Sequence, residues 1–187
     1  MTTIATALPQ GLTAGVWTLD LGHSEASFTA RHAGVTKVRG TVKITEGTLT
    51  LGDTLENSTL TATLDPSTVT TGNENRDAHL RSADFFNAET AEPWRFVATS
   101  MKQTGDTNYV ITGDLTINGI TKSVDLATEF NGVVTDPWGG TRAGAEATLT
   151  VSRKDFNMTW NVALEAGGVL VSDKVVINLD VAAVKQA

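Results

Sequence analysis

The sequence predicts an all-β chain: a lipocalin-like up-and-down antiparallel β-barrel of about eight strands, with a short helical segment near residues 71–87. Segments rich in Val, Ile, Thr and aromatic residues show apolar/polar alternation. Clusters of Gly, Asn, Asp and Pro separate them at hairpin spacing, and a single stretch breaks the pattern. At 187 residues and 40% hydrophobic content, the chain is long enough to bury one core without metal or disulfide support.

Residues 1–14, MTTIATALPQGLTA, read as a flexible N-terminal arm. They lack the basic n-region and the continuous apolar h-region of a secretory signal, so a cytoplasmic location is expected, with a periplasmic or secreted one the alternative if a leader was removed. Residues 15–187 read as one barrel domain, with no repeat or linker that argues for a second. Strands are expected over Val16–Asp20, Ser24–His32, Val38–Leu51, Ser58–Leu64, Trp94–Gln103, Asn108–Ile117, Ile120–Asn131, Arg142–Ser152 and Lys174–Ala183. Asn118-Gly119 predicts a type I′ hairpin turn, because an Asn-Gly pair accepts positive φ at both central positions. Asp136-Pro137-Trp138-Gly139-Gly140 predicts a longer reversal. The break, TGNENRDAHLRSADFFN at 71–87, predicts a short helix that seats Leu80 inward and leaves Arg76 and Asp77 facing water; Phe85 and Phe86 follow as an apolar plug.

Period-2 alternation assigns the inner face. It takes Ala26, Phe28, Ala30 and His32, then Val42 and Ile44, Leu60, Ala62 and Leu64, and Trp94, Phe96 and Ala98. Val124, Leu126, Thr128 and Phe130 continue the set, followed by Ala145, Ala147, Leu149 and Val151. The recurring alanines admit two readings: they leave a lumen, or they let larger facing side chains interdigitate.

Composition narrows the function. A net charge of -7 and no Lys/Arg run disfavour nucleic acid and anionic partners. With zero Cys there is no disulfide and no thiolate chemistry, and the three His residues lack metal-ligand spacing, so no metal site is expected. An apolar run long enough to span a bilayer is missing, so no stable membrane insertion is expected. An enzyme reading built on His79 with Asp77, or on His23-Ser24-Glu25, is weak. Neighbours on a strand point to opposite faces, and no nucleophile elbow is present.

Several longer motifs then align with one family. WTLDLGHSEASFTARH (17–32), RDAHLRSADFF (76–86), GDLTINGITKSVDL (113–126), SRKDF (152–156) and VSDKVVI (171–177) together resemble the YceI family of bacterial lipocalin-like polyisoprenoid-binding proteins. The resemblance implies a deep barrel pocket for an isoprenoid chain, such as that of a polyprenyl carrier or isoprenoid quinone. It favours the lumen reading of the alanines, implies binding, storage or transport with no required cofactor, and is compatible with a homodimer. A lipid-modifying enzyme or a ligand-free interaction domain are the alternatives. The expected ligand-binding residues are Phe28, His32, Val42, Leu60, Arg76, His79, Phe86, Trp94, Phe96, Phe130, Phe156 and Trp160. His32, Arg76 and His79 are the candidates for a headgroup, since an imidazole or guanidinium can bind a carbonyl or phosphate. Local pairing of Arg76 and Asp77 that merely fixes the helix is an equal reading.

Overall fold

The computed structural model describes residues 5–187, so residues 1–4 of the expected arm lie outside it. Nine strands form in order: β1 (Gly15–Leu19), β2 (Glu25–His32), β3 (Thr36–Leu51), β4 (Thr59–Thr70), β5 (Trp94–Gln103), β6 (Asn108–Ile117), β7 (Ile120–Thr135), β8 (Thr141–Ser152) and β9 (Val171–Lys185). The helix α1 (Glu74–Arg81) lies between β4 and β5, inside the segment expected to be helical. Short 3₁₀ turns occupy Leu55–Asn57 and Arg153–Phe156.

All pairings are antiparallel, and the sheet runs β3-β2-β9-β8-β7-β6-β5-β4 before β4 returns to β3 and closes an eight-stranded barrel. Strand β1 fits this count because it and β2 lie end to end in one slot. β1 pairs with the last residues of β3 and β9, and β2 pairs with the first part of each. The break at residues 20–24 is stitched to β9. Asp20 N donates to Ala182 O at 2.8 Å, and Ser24 Oγ accepts from Ala182 N at 3.0 Å.

The turns sort to two ends. Asn118 and Gly119 have φ of 52° and 73°, the two positive angles that a type I′ turn requires, between Ile117 and Ile120. This turn, α1 and the β8–β9 connection gather at what we call the helical end. Opposite it, Asp136 Oδ1 accepts from Trp138 N at 3.0 Å and Gly140 N at 2.8 Å in the β7–β8 reversal. Residues 5–14 also lie at that opposite end and pack on the wall. Leu8 and Leu12 pack against fully buried Trp17, whose Nε1 donates to Thr13 O, and Leu55 N donates to Thr6 O.

The helix starts at Asn73, whose side chain accepts from Arg76 N, a regular N-cap. Leu80 turns to the core as expected. Asp77 does not face water as expected: it is buried and accepts from Thr71 N at 2.8 Å and Thr71 Oγ1 at 2.5 Å, clamping α1 to the end of β4. A buried carboxylate needs such donors, which is why it turned inward to Thr71.

Candidate binding cavity

The inner wall encloses a cavity of about 330 Å³ that runs from Phe85 and Phe156 at the helical end to Pro9 and Leu12 at the other. An eight-stranded barrel is just wide enough to be filled by side chains or to hold one small ligand, so residue size on the inside decides which. Ala26, Ala30, Ala62, Ala145, Ala147 and Gly144 all face the lumen here. Two large rings are moreover laid along the wall rather than across it. A Cβ on Gly40 would meet Phe28 Cζ at 2.5 Å, and one on Gly113 would meet Phe96 Cε2 at 2.6 Å, so each ring lies on a glycine of the neighbouring strand. The consequence is visible in β9, where the inward side chains Val175, Ile177, Leu179 and Val181 are only half-buried despite facing the barrel axis.

Eight of the expected residues line this cavity: Phe28, Val42, Leu60, Phe86, Trp94, Phe96, Phe130 and Phe156. Alternation assigned Phe28, Val42, Leu60, Trp94, Phe96 and Phe130 to the inner face, whereas Phe86 and Phe156 reach it from outside the strands. Phe28 and Trp94 each meet Phe86 edge-on, with centroids 6.3 and 4.7 Å apart.

The other four lie elsewhere. His32 is exposed at the end of β2, because the register with β9 shifts between Ala30 and His32 and ends the inward series one position early. Arg76 is exposed and donates to Thr71 Oγ1 at 2.7 Å and Thr71 O at 3.1 Å, so it joins Asp77 in the clamp. The local-pairing reading of Arg76 and Asp77 is the geometry found. His79 and Trp160 meet in a layer outside the cavity. Their rings are 4.6 Å apart and edge-on, both pack on Phe85, and His79 Nε2 bonds Asp84 Oδ2 at 2.9 Å. Phe85 separates them from the lumen.

The helical end is tied together by Asn118, whose Nδ2 donates to Phe85 O at 2.9 Å and Phe156 O at 3.3 Å. Among the described residues, its Oδ1 is buried without a partner, as is Nε1 of Trp94, whose ring lines the cavity.

One functional candidate escaped the sequence reading. Arg153 is 3% exposed and lines the cavity, with Nε donating to Ser172 O at 3.0 Å, Nη1 to Met158 O at 2.7 Å and Nη2 to Val171 O at 3.4 Å. Burial lowers its pKa from the usual arginine value, yet a guanidinium remains charged at any ordinary pH. The signal was present, since the inward series Ala145, Ala147, Leu149 and Val151 continues in phase to residue 153.

The remaining polar clusters serve the fold. His23 bonds Asp20, which also pairs with Arg142, and Arg142 reaches Asp136 at 2.7 Å. Among the described residues, no group of three His, Cys, Asp or Glu side chains could hold a metal, and no helix is long and apolar enough to cross a membrane.

A family model described as the YceI-like domain matches residues 17–183. A UPF0312 protein of Ectopseudomonas mendocina is 42% identical over 138 residues, 73% of this chain and 72% of its own. Protein YceI of Escherichia coli is 41% identical over 137 residues, 73% of this chain and 71% of its own. Among solved structures, BcnA of Burkholderia cenocepacia superposes with a TM-score of 0.74 at 20% identity, covering 88% of this chain and 98% of its own. A polyisoprenoid binding domain from Saccharophagus degradans superposes with a TM-score of 0.68 at 12% identity, covering 91% and 98%.

Proposed function

Because the chain belongs to the YceI-like domain family, we propose that it binds a long apolar molecule, an isoprenoid such as a polyprenyl lipid or isoprenoid quinone, inside the barrel. The observation that carries this reading is the unfilled cavity of about 330 Å³, within the size range of small-molecule sites and walled almost wholly by hydrocarbon. Burying one methylene contributes about 0.8 kcal/mol, so about ten ordered methylenes supply roughly 8 kcal/mol before entropy losses. Tail burial alone is enough to hold a ligand. The naming of the Saccharophagus degradans domain as polyisoprenoid binding supports the same class. Binding, storage or transport fits this wall better than catalysis, since His23 and His79 are both paired away from it.

The test is organic extraction of freshly purified protein, followed by native mass spectrometry and titration of the stripped protein with isoprenoids of several lengths. An isoprenoid-sized adduct and saturable uptake are expected. A stripped protein that takes up no isoprenoid, from a preparation that carried none, would overturn the proposal.

A further inference from the structure

Residues 5–14 cross the barrel mouth opposite the helical end. They start at the β3–β4 turn, where Ala7 pairs with Thr54 in an isolated antiparallel bridge and Leu55 N donates to Thr6 O at 3.0 Å. Thr6 N donates to both carboxylate oxygens of Glu56 at 3.1 Å. Gly11 then lies on β7: a Cβ there would stand 3.1 Å from Val133 Cβ, and its φ of 89° suits glycine. β7 stands straight across the ring from β3, with β2, β9 and β8 between them on one side and β4, β5 and β6 on the other. The chain then returns to β1, where Thr13 O accepts from Trp17 Nε1 at 3.1 Å and Thr13 Oγ1 from Lys185 Nζ at 2.7 Å. Between these ties the arm is held by hydrocarbon. Pro9 is buried and lines the cavity with Leu12, while Leu8 and Leu12 pack on Trp17, Leu51 and Ala183. Leu8 also packs on Leu55, Met101 and Tyr109.

We propose that this arm is the end wall of the lumen and sets the longest tail the barrel accepts. The inference rests on the reading of the lumen as a ligand site. Leu51, Leu55, Met101, Tyr109 and Ala183 line the cavity and also carry the arm, so a tail that reaches the mouth competes with Leu8 and Leu12 for one apolar surface. An added five-carbon unit of an isoprenoid gains affinity only where its carbons leave water. Past the wall, the unit stays in water or must strip Leu8 and Leu12 from Trp17, and the gain stops. The arm precedes the residues of the family match, which begin at Trp17, so a limit set by Pro9 and Leu12 belongs to this chain rather than to the barrel it shares.

Geraniol, farnesol, geranylgeraniol and geranylfarnesol form a series that grows by one isoprene unit at a time, and each is titrated into lipid-stripped protein. Wild-type affinity is expected to rise with length and then stop; the first prenol past that point is the readout. Relative to the prenol one unit shorter, Leu12→Ala is expected to bind it at least tenfold more tightly than the wild type does, about 1.4 kcal/mol. Pinning the arm is expected to do the reverse. The bond from Leu55 N to Thr6 O flanks the Ala7 and Thr54 pair, which gives the pair the close spacing that a cross-strand disulfide needs. The chain has no Cys to compete. In the double variant Ala7→Cys, Thr54→Cys, the oxidised form is expected to bind the readout prenol at least tenfold more weakly than the reduced form. That comparison is made within one protein and stands even if Leu12→Ala does not fold. Wild-type affinity that climbs through the whole series, or a limit that neither variant moves, overturns the inference and leaves the apolar-ligand reading intact. If the wild type binds none of the prenols, the apolar-ligand reading fails and takes this inference with it.

Discussion

Replacing Ala147 with leucine separates a hollow barrel from a filled one by the sign of two measurements. Ala147 faces the cavity, opposite Leu179 on one side and Thr128 on the other. The leucine places three more carbons in a volume of about 330 Å³. If those carbons displace three methylenes of ligand, at about 0.8 kcal/mol each, binding weakens by roughly 2.4 kcal/mol, or about 50-fold. The ligand-free protein moves the other way. Filling a void adds about 1 kcal/mol, which for a domain of this size raises Tm by about 2–4 °C. A packed interior would instead be overpacked by the same change and lose about 1–3 kcal/mol. Calorimetry of lipid-stripped protein gives the first sign, and titration with farnesol gives the second. A lower Tm in Ala147→Leu with unchanged farnesol affinity would refute the hollow-barrel reasoning.

Two further predictions concern stability. Asp77→Ala leaves Thr71 N and Oγ1 without their acceptor and frees the start of α1, so denaturant unfolding is expected to show a loss of about 1–3 kcal/mol, with farnesol still bound. The guanidinium of Arg142 and then the imidazole of His23 lower the Asp20 pKa to about 2. A lowered carboxylate stabilises the fold fully above its unfolded pKa of about 3.9, and the gain is lost as the pH falls toward 2. With Asp20 partly exposed and its bridges screened, the effect is about 1 kcal/mol, and Asp20→Asn is expected to flatten the stability profile over that window.

The sequence revealed direction along the wall far better than content within it. Trp94–Gln103 and Asn108–Ile117 end where the alternation predicted, because turn residues bracket them tightly. The expected strand Ser58–Leu64 stops short of the observed end at Thr70, and the added stretch contains Pro66. The chain accommodates this proline by bulging: the β3 register jumps from Asp65 to Thr70, with Ser67 and the Thr68 hydroxyl bonded back to Asp65. His32 was misplaced for a related reason, because a register shift leaves no local mark in composition. Asp77 turned inward on account of a hydroxyl six residues upstream, a partner that helical periodicity does not weigh. The emptiness of the interior is a sum over eight walls, whereas alternation reads one strand at a time. Arg153 was different in kind: its phase was readable, but a charged residue at the end of an apolar series is easily taken for the first residue of a loop.

The return of β4 to β3, together with the end-to-end lodging of β1 and β2, gives every strand a hydrogen-bonded neighbour on both sides over part of its length. That bears on solubility. A chain that keeps an unfilled greasy interior gives up packing energy, and in an open sheet the weakened structure would offer its margin to a neighbour as a template for intermolecular pairing. Here each strand already has a partner on either side, so the closed wall offers little free margin for strand addition even with its interior unfilled.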